Sequence, residues 1–425
     1  MNKQIGYFIP EFPGQTHTWI WREYQAMLDL GMKPHMISTR RPRTKVVHTW
    51  AEKAQSMTDY LIPFETKDFV NVPIELIKAG PIAWWRCLSV IANTKNLSFS
   101  QRLYYLVWVV MGAKLAWLAR TQGWSHVHVH SCSNAANIAL FASILSDITY
   151  SLALLGQLED FGPNQEQKWK HSAFASVMSK QLLNSVKDEL AGFLPKDVRV
   201  SPVGVNLDEI KRETPYTPWQ EGSQCRIYTC GRLNIAKGQK YLIESIKLLR
   251  QQGFDVRLQI AGEDAESGNG YRQELEKFIQ EQSMSDYVEL LGSVSEERNR
   301  QGYQEADIFV LPSLKEGISV AVMEAMAMQT PVVVTQVGGM AELIDNGVDG
   351  MLVPPENPEK MAEAIAKLLK DKELTLSLIH KSRQKIAAKF HHRRSAQILL
   401  ESLEELSSRG EEQVESIAAS RFLVK

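Results

Sequence analysis

Short apolar runs alternate with helical patterns through the second half of the chain. Runs such as RIYTC, VRLQIAGE, YVELLG, IFVLP and PVVVTQ are each followed by a segment with apolar residues at helical spacing, for example KGQKYLIESIKLLRQQG. Strands this apolar are typical of a parallel sheet that helices cover on both faces. The pattern over 225–390 therefore predicts a doubly wound α/β domain with a sheet of about six strands.

The first half shows the same alternation less regularly. It opens with the strand IGYFIP, the loop EFPGQTHT and the helix WIWREYQAMLDLG, and it continues with strands such as KPHMISTR, HVHVH and ITYSLALLG. We therefore predict two Rossmann-like domains, over 1–205 and 225–390, a polar linker over 206–224, and a C-terminal helix and tail over 391–425. Two such domains that face each other form a deep cleft at the carboxyl ends of both sheets, where ligands bind in these folds.

Composition and charge are ordinary for a soluble protein, but the two ends of the chain differ. The 425 residues include 48 Lys and Arg against 49 Asp and Glu, a balance that does not favour nucleic-acid binding. Residues 1–120 nevertheless hold 15 basic and 8 acidic residues, and eight of the ten tryptophans lie in the first 124 positions. Since aromatic rings beside basic groups are typical of membrane interfaces, we expect 81–120 to contact a membrane surface.

The expected location is cytoplasmic. The four cysteines form no C-x-x-C pair, and the N-terminal segment has a proline and a glutamate where a secretory signal needs an unbroken apolar run. The longest apolar stretch, 103–119, contains Lys114 and is at the short limit for spanning a bilayer. We therefore expect a cytoplasmic protein that is peripheral on the inner face of the cytoplasmic membrane.

The segment KEGISVAVMEAMAMQTP at 315–331 carries the most informative side chains. Glu316 lies in a loop, where it can bind sugar hydroxyls, and Glu324 lies on a helix, where it can accept both hydroxyls of a ribose. A glycine and the unpaired N–H groups at the helix start suit a phosphate, and these residues are Gly317, Ile318, Ser319 and Val320. Taken alone, two glutamates at this spacing are more often solvated charges.

The segment CGRLNIAKG at 230–238 also joins a strand to a helix at the same end of the sheet. Arg232 offers a planar fork to phosphate oxygens and Lys237 a point charge, a combination that stabilises a departing diphosphate. Two further strands end near Glu263 and Val294, where backbone groups can bound a nucleobase slot, although both also fit plain turns.

In order and spacing, these motifs resemble the C-terminal domain of family 4 glycosyltransferases, which are retaining enzymes of the GT-B fold. The resemblance covers roughly 225–372, from GRLNIAKG through LKEGISVAVMEAMA to NPEKMAEAI. It implies that Arg232 and Lys237 contact the donor diphosphate. It also implies that Glu316 binds the donor sugar and Glu324 the ribose.

The same resemblance extends to two places outside that domain. The loop FPGQTHT looks like the family loop whose glycine approaches the donor phosphates, which makes Gly14 and Gln15 candidates for substrate binding. The resemblance also implies that the last helix, about 393–407, crosses back to brace the first domain.

The segment YSLALLGQLEDF looks like the family segment that ends a strand near the reacting carbon. Here Leu155 stands where the family commonly has a histidine before the glycine. Three residues are candidates for the missing polar group on the acceptor side: His130, Glu159 and Asp160. A reaction without such a group is the alternative.

His126, His128 and His130 alternate along SHVHVHS, an arrangement that fits metal ligands and a polar cleft wall. No D-x-D motif is present to hold a diphosphate-bound metal, so we expect side-chain cations to stabilise the leaving group, with no metal or other cofactor.

The predicted function is metal-independent, retaining transfer of a sugar from a nucleotide-diphosphate donor to a saccharide or lipid-linked acceptor, in polysaccharide or glycolipid synthesis. Two alternatives stay open from the sequence. One is a non-catalytic partner subunit that binds nucleotide sugar. The other is a sugar-nucleotide epimerase of the same architecture.

Overall fold

The first domain is built on a seven-stranded parallel sheet. The computed structural model describes residues 4–43, 46–95, 97–265 and 270–422. The strands are β1 (Gln4–Glu11), β2 (Lys33–Arg40), β3 (Asp59–Tyr60), β4 (His126–His130), β5 (Thr149–Leu154), β6 (Phe174–Val177) and β7 (Val198–Val200). Within the described residues their order is β3-β2-β1-β4-β5-β6-β7, and every neighbouring pair is parallel. The short strand β3 was not predicted.

Helices cover both faces of this sheet. They are α1 (Thr18–Asp29), α2 (Ala51–Ser56), α3 (Asp68–Asn93), α4 (Phe99–Gln122), α5 (Asn134–Leu145), α6 (Gln165–Lys170) and α7 (Lys180–Glu189). The long helices α3 and α4 follow each other directly, and α3 bends at Gly80, which has a φ of 74°. At Gly112 of α4 a Cβ would lie 2.8 Å from the backbone nitrogen of Ala142, so α4 and α5 pack in close contact.

The second domain repeats this architecture. Its strands are β8 (Cys225–Cys230), β9 (Val256–Ala261), β10 (Val288–Gly292), β11 (Ile308–Leu311), β12 (Val332–Thr335) and β13 (Met351–Val353). Its helices are α8 (Gln239–Gln251), α9 (Tyr271–Glu281), α10 (Glu296–Glu305), α11 (Val320–Ala327), α12 (Met340–Leu343), α13 (Pro358–Lys370) and α14 (Lys372–Lys389). The described strands run parallel in the order β10-β9-β8-β11-β12-β13, which confirms the predicted doubly wound sheet of about six strands.

The apolar composition of the central strands follows from their place in the sheet. All residues of β11 and β12 are buried, because helices lie on both sides of them. In each sheet the strand order reverses beside the first strand of the domain, between β1 and β4 and between β8 and β11. A crevice opens at the carboxyl ends of the strands at such a point, and it holds the candidate site.

The last helix, α15 (Arg393–Phe422), returns to the first domain. Its residues Ala396 and Leu399 share a buried cluster with Tyr24 and Met27 of α1. The helix extends well beyond its expected end near 407. The predicted boundaries of the linker and domains stay a prediction.

The two places where the chain passes between the domains lie side by side. Val205 and His391 form a parallel bridge, and a Cβ on Gly204 would lie 2.5 Å from the carbonyl oxygen of Phe390. The glycine therefore allows the two crossings to touch.

Two histidines of β4 lie within hydrogen-bond distance of side chains on the neighbouring strand β5. His126 Nδ1 lies 2.7 Å from Thr149 Oγ1, its Nε2 lies 2.8 Å from Ser151 Oγ, and His128 Nδ1 lies 2.8 Å from the same serine oxygen. Burial lowers the pKa of His126 to about 3 and holds the pKa of His128 well below its usual value. Both rings are therefore neutral partners of β5 side chains.

Because folded His126 is neutral, the unfolding free energy depends on pH in the acidic range. An unfolded histidine binds a proton below about pH 6.5, whereas the pKa of folded His126 is about 3. Between these values the unfolded state binds more protons, so stability falls as the pH decreases. We expect His126→Gln to flatten the dependence of the unfolding free energy on pH between about 6.5 and 4.5, by up to about 1.4 kcal/mol per pH unit.

Urea denaturation at several pH values measures this slope. The matched control is His380→Gln, since His380 is exposed on α14 and should leave the slope unchanged. The same slope in the His126 variant and the wild type would show that His126 is not held neutral.

Candidate active site

Lys237 is positioned by the turn that follows β8. This turn includes a short 3₁₀ helix (Ile235–Lys237), in which the Asn234 side chain accepts the Lys237 N–H at 3.1 Å. Gly238 follows with a φ of 64°, and a Cβ there would lie 2.0 Å from the carbonyl oxygen of Pro312. The glycine therefore lets the loop after β8 lie directly against the loop after β11.

Lys237 and Glu316 meet between these two loops. Lys237 Nζ lies 2.8 and 2.7 Å from the two carboxylate oxygens of Glu316, and only 22% and 12% of the two side chains are exposed. Arg232 is exposed on the same loop as Lys237. Burial and then the charge of Arg232 lower the pKa of His17, in the first loop of the opposite domain, to about 4. The structure thus brings Lys237 and Glu316 into contact, with Arg232 on the same loop as Lys237.

The residues at the start of α11 pack against the first domain. A Cβ on Gly317 would lie 2.9 Å from the carbonyl oxygen of Leu155, and the Ile318 N–H points at Met178 Sδ at 3.2 Å. The buried Ser319 precedes the first helical residue, Val320. The N–H groups that the sequence assigns to phosphate binding therefore lie at the domain interface, and that of Ile318 has a sulfur acceptor.

Glu324 is a buried carboxylate in a polar network that joins both domains. Arg22 Nη1, from α1, donates to Oε1 of Glu324 at 2.7 Å, and the Tyr303 hydroxyl donates to Oε2 at 3.0 Å. Arg22 also pairs with Glu296 at the start of α10. Burial alone would lower the pKa of Arg22, but the charges of Glu324 and Glu296 raise it. An oxygen of the predicted ribose-binding carboxylate thus has an arginine partner from the opposite domain.

The first loop of the chain contacts the end of β10. Gln15 Nε2 donates to the carbonyl oxygen of Val294 at 2.8 Å, and Gln15 Oε1 accepts the Val47 N–H at 3.0 Å. Gly14 lies against the His17 ring, where a Cβ would be only 2.6 Å from the imidazole. The structure therefore brings Gly14 and Gln15 to Val294, the residue predicted to bound the nucleobase.

Three of the predicted binding carboxylates have basic partners. Glu159 and Asp160 accept hydrogen bonds from Lys315 Nζ at 2.7 and 2.8 Å, and Glu263 accepts one from Arg272 Nη1 at 2.8 Å. Glu159 and Asp160 belong to the first domain and Lys315 to the second. Their ion pairs therefore lie across the rim of the cleft, one residue along the chain from Glu316.

His130 is the acceptor-side candidate that shares a cavity with Leu155. Trp19 and Glu23 line the same cavity. His130 Nε2 lies 3.3 Å from Glu23 Oε2, and the Tyr7 hydroxyl donates to that oxygen at 2.8 Å. Burial tends to raise the pKa of Glu23, but the charge of His130 and the hydrogen bonds from His130 and Tyr7 lower it. The ionised carboxylate can therefore orient the imidazole.

The sequence did not identify Arg22, Glu23, Glu296 or Tyr303 as site residues. Arg22 and Glu23 are adjacent in the aromatic-rich helix α1 and are only 4% and 5% exposed. Helical spacing places both on the buried side, and buried charges need partners. That pattern could have marked the two residues, but not their partners in the second domain.

Comparison with known proteins agrees with this architecture. Residues 224–371 match the family model described as Glycosyl transferases group 1, over the range in which the motifs resemble these enzymes. One relative is WcaL of Salmonella typhimurium, which is named as a colanic acid biosynthesis glycosyltransferase. It is 24% identical to this chain, and the match covers 91% of this chain and 96% of WcaL. AmsK of Erwinia amylovora is named as an amylovoran biosynthesis glycosyltransferase. It is 33% identical to this chain, and the match covers 43% of this chain and 45% of AmsK.

A solved structure shows the same two-domain fold. The crystal structure of HepE from Anabaena in complex with UDP-glucose matches with a TM-score of 0.70 and 17% identity, and the match covers 95% of this chain and 99% of that one. The prediction of two Rossmann-like domains across a cleft is confirmed. The second domain matches group 1 glycosyltransferases over residues 224–371, and the whole chain has the GT-B fold.

Proposed function

We propose that this enzyme transfers a sugar from a nucleoside diphosphate donor to a saccharide or lipid-linked acceptor, with retention of anomeric configuration and without a metal ion. The proposed setting is polysaccharide or glycolipid synthesis. The names of WcaL and AmsK, which refer to colanic acid and amylovoran biosynthesis, support this setting. HepE, which has the same fold, was crystallised with UDP-glucose, and this supports a nucleotide-sugar donor.

The contact between Lys237 and Glu316 carries the proposal. A carboxylate that can bind sugar hydroxyls lies within 2.8 Å of an ammonium group that can bind phosphate. Arg232, on the same loop as Lys237, adds a second cation with a planar fork. A sugar diphosphate carries sugar hydroxyls and phosphate oxygens side by side. Glu316 and Lys237 can therefore bind the two sides of the bond that must break.

The reaction that fits this geometry needs no enzyme nucleophile. When the bond between the anomeric carbon and the β-phosphate oxygen breaks, the electron pair stays on that oxygen, where Arg232 and Lys237 stabilise it. The acceptor hydroxyl attacks the anomeric carbon from the face that the diphosphate leaves, and its proton passes to the departing phosphate. The products are a glycoside of unchanged configuration and the nucleoside diphosphate, without the second carboxylate that retaining glycosidases use.

In the proposed reaction side chains stabilise the leaving group, and no cofactor takes part. Two preorganised cations supply charge stabilisation of the kind that a bound metal provides in other phosphate sites. The described residues contain no group of three or more His, Cys, Asp or Glu that could hold a metal ion.

We also propose a cytoplasmic enzyme at the inner face of the cytoplasmic membrane. The excess of basic residues and tryptophans in the first 124 residues supports contact through 81–120.

Removing either member of the central pair should abolish most of the transfer. We expect Lys237→Ala and Glu316→Gln each to reduce turnover by about 10²–10³, because each removes a preorganised contact to the donor. Release of nucleoside diphosphate measures turnover, and thermal melting checks the fold. The control is Lys240→Ala, which removes an exposed ion pair with Glu274 in the same domain and should retain full turnover. Full activity in both site variants would contradict the assignment.

The stereochemistry of the product tests the mechanism. We expect the anomeric configuration of the product, read from proton NMR coupling constants, to equal that of the donor, and we expect EDTA to leave the rate unchanged. An inverted product or a rate that collapses with EDTA would contradict the mechanism. Conversion of the donor without any added acceptor would indicate the epimerase alternative.

Arg22 should compete with the donor for Glu324. If Glu324 binds the ribose hydroxyls, they compete with the guanidinium for Oε1, so Arg22→Gln should tighten donor binding by up to about tenfold. Glu324→Gln should weaken binding instead. Titration calorimetry with the nucleotide sugar measures both changes. If the network is purely structural, both variants will melt earlier and bind the donor as the wild type does.

A further inference from the structure

The outer side of α3 and α4 carries most of the exposed large apolar side chains of the described chain. Twelve of eighteen such side chains lie between residues 69 and 107. We name this set the α3–α4 surface, and its members are Phe69, Val70, Ile74, Ile77, Ile82, Trp85, Leu88, Phe99, Leu103, Tyr104, Leu106 and Val107. Single exposed apolar residues are normal on soluble proteins, but twelve of them on two helices that pack against each other are typical of an interaction site.

Helical spacing places several of these side chains on common faces. Val70, Ile74 and Ile77 follow each other at intervals of four and three residues in the first part of α3. Phe99 and Leu103 repeat this spacing on α4. The opposite sides of both helices are already buried in the core of the first domain. The apolar residues of the α3–α4 surface are therefore a second, outward-facing set.

Hydrogen bonds hold the two helices in this arrangement. Trp84 Nε1 donates to the carbonyl oxygen of Leu76 at 3.0 Å, across the bend at Gly80. Arg102, near the start of α4, donates to the carbonyl oxygens of Ala92 and Thr94 at 3.0 and 3.1 Å. These contacts fix both the bend and the turn between the helices, so the exposed residues form a defined surface.

The charges around this surface are positive. Five basic residues lie between 67 and 107, namely Lys67, Lys78, Arg86, Lys95 and Arg102, and all five are at least partly exposed. The two acidic residues of the same segment, Asp68 and Glu75, are buried. Asp68 pairs with Lys114 at 2.6 Å, and Glu75 pairs with Arg120. Lys67 and Lys95 pair with Glu65 and Glu166, so the excess positive charge comes from the remaining three basic residues. Apolar side chains ringed by cations complement a bilayer that carries anionic headgroups.

The charge pattern disfavours a second copy of the chain as the occupant. A two-fold dimer through this surface would place the same cationic residues against each other. Like charges at an interface oppose association, whereas anionic lipids neutralise them.

The geometry does not fit a membrane-spanning role for α4. Among the described residues, α4 is the one helix long and apolar enough to cross a bilayer, but 61% of its most apolar window is buried inside the protein. Lys114, in the middle of α4, pairs with Asp68 in the core. One side of the helix therefore belongs to the domain, and only the other side is available to lipid.

We propose that the α3–α4 surface docks this enzyme on the anionic face of a lipid bilayer. The apolar side chains enter the boundary between headgroups and acyl chains, and the lysines and arginines contact lipid phosphates. This docking depends only on the α3–α4 surface and not on the proposed reaction.

The α3–α4 surface lies near the catalytic cleft, and its role in acceptor binding rests on the proposed function. A groove of about 300 Å³ begins at Thr94 and Lys95, at the end of α3, and is lined on its other side by Glu159 and Gln165. Glu159 also pairs with Lys315 at the rim of the cleft. Glu159 thus lies both in the groove and at the rim of the cleft, a position that favours a lipid-linked acceptor whose saccharide reaches the cleft from the membrane.

Vesicle flotation of the full-length protein tests the docking. We expect the wild type to float with vesicles of phosphatidylcholine and phosphatidylglycerol and to stay at the bottom with phosphatidylcholine alone. The test variant combines Ile77→Ser, Trp85→Ser and Phe99→Ser, three side chains that are 79%, 73% and 77% exposed and should not be needed for folding. Its affinity for the anionic vesicles should fall by at least about tenfold. The matched control, Val348→Ser with Leu376→Ser, removes exposed apolar side chains of the second domain and should float normally.

Three results would overturn the proposal. One is a wild type that does not float with anionic vesicles, and another is equal binding of the test variant and the wild type. The third is a wild-type dimer that the three substitutions convert to a monomer, as measured by light scattering without lipid, because the surface is then a contact between copies. Thermal stabilisation by nucleotide sugars is measured on the same variant, and it should match the wild type. Loss of lipid binding with intact donor binding separates this proposal from the proposed chemistry.

Discussion

The salt bridge between Lys237 and Glu316 is the contact on which the arrangement of the cleft depends. It joins two loops that follow neighbouring strands, β8 and β11, and these loops touch because Gly238 leaves room for the carbonyl oxygen of Pro312. A larger residue at that position would separate the loops and with them the ammonium and carboxylate groups. The parallel sheet therefore does more than support the site, since its strand order determines which charges meet.

Polar contacts join the two domains at several points. Besides Arg22 with Glu324, the Glu342 carboxylate accepts the N–H groups of Lys180 and Gln181 at 2.9 and 2.8 Å. Water can replace such partners when the domains move apart. Polar contacts of this kind suit a cleft that must admit a donor and release a nucleoside diphosphate. Separation of the domains would also release Arg22 from Glu324, the carboxylate that a ribose would bind.

The sequence was most informative where function depends on local order along the chain. The apolar runs of β8 and β11 predicted two loops at the same end of the sheet, and Arg232, Lys237 and Glu316 could be placed on them without knowledge of the second half of the cleft. Contacts between domains were beyond such reasoning, because Arg22 and Glu324 are 302 positions apart and nothing local pairs them. The helix α15 was recognisable from its spacing, but its length was not. The stretch 103–119 was recognised as apolar, although only the fold shows which side of α4 is buried.

The central claim is that the cleft binds the diphosphate of an activated sugar through the cations on the loop after β8. Thermal denaturation in the presence of UDP-, GDP- and ADP-sugars tests it most directly, on the wild type and on Lys237→Ala. We expect one donor class, at about a hundred times its dissociation constant, to stabilise the wild type by about 2.7 kcal/mol, and we expect the variant to lose most of this gain. No stabilisation by any of these donors, or equal stabilisation of the variant, would contradict the account.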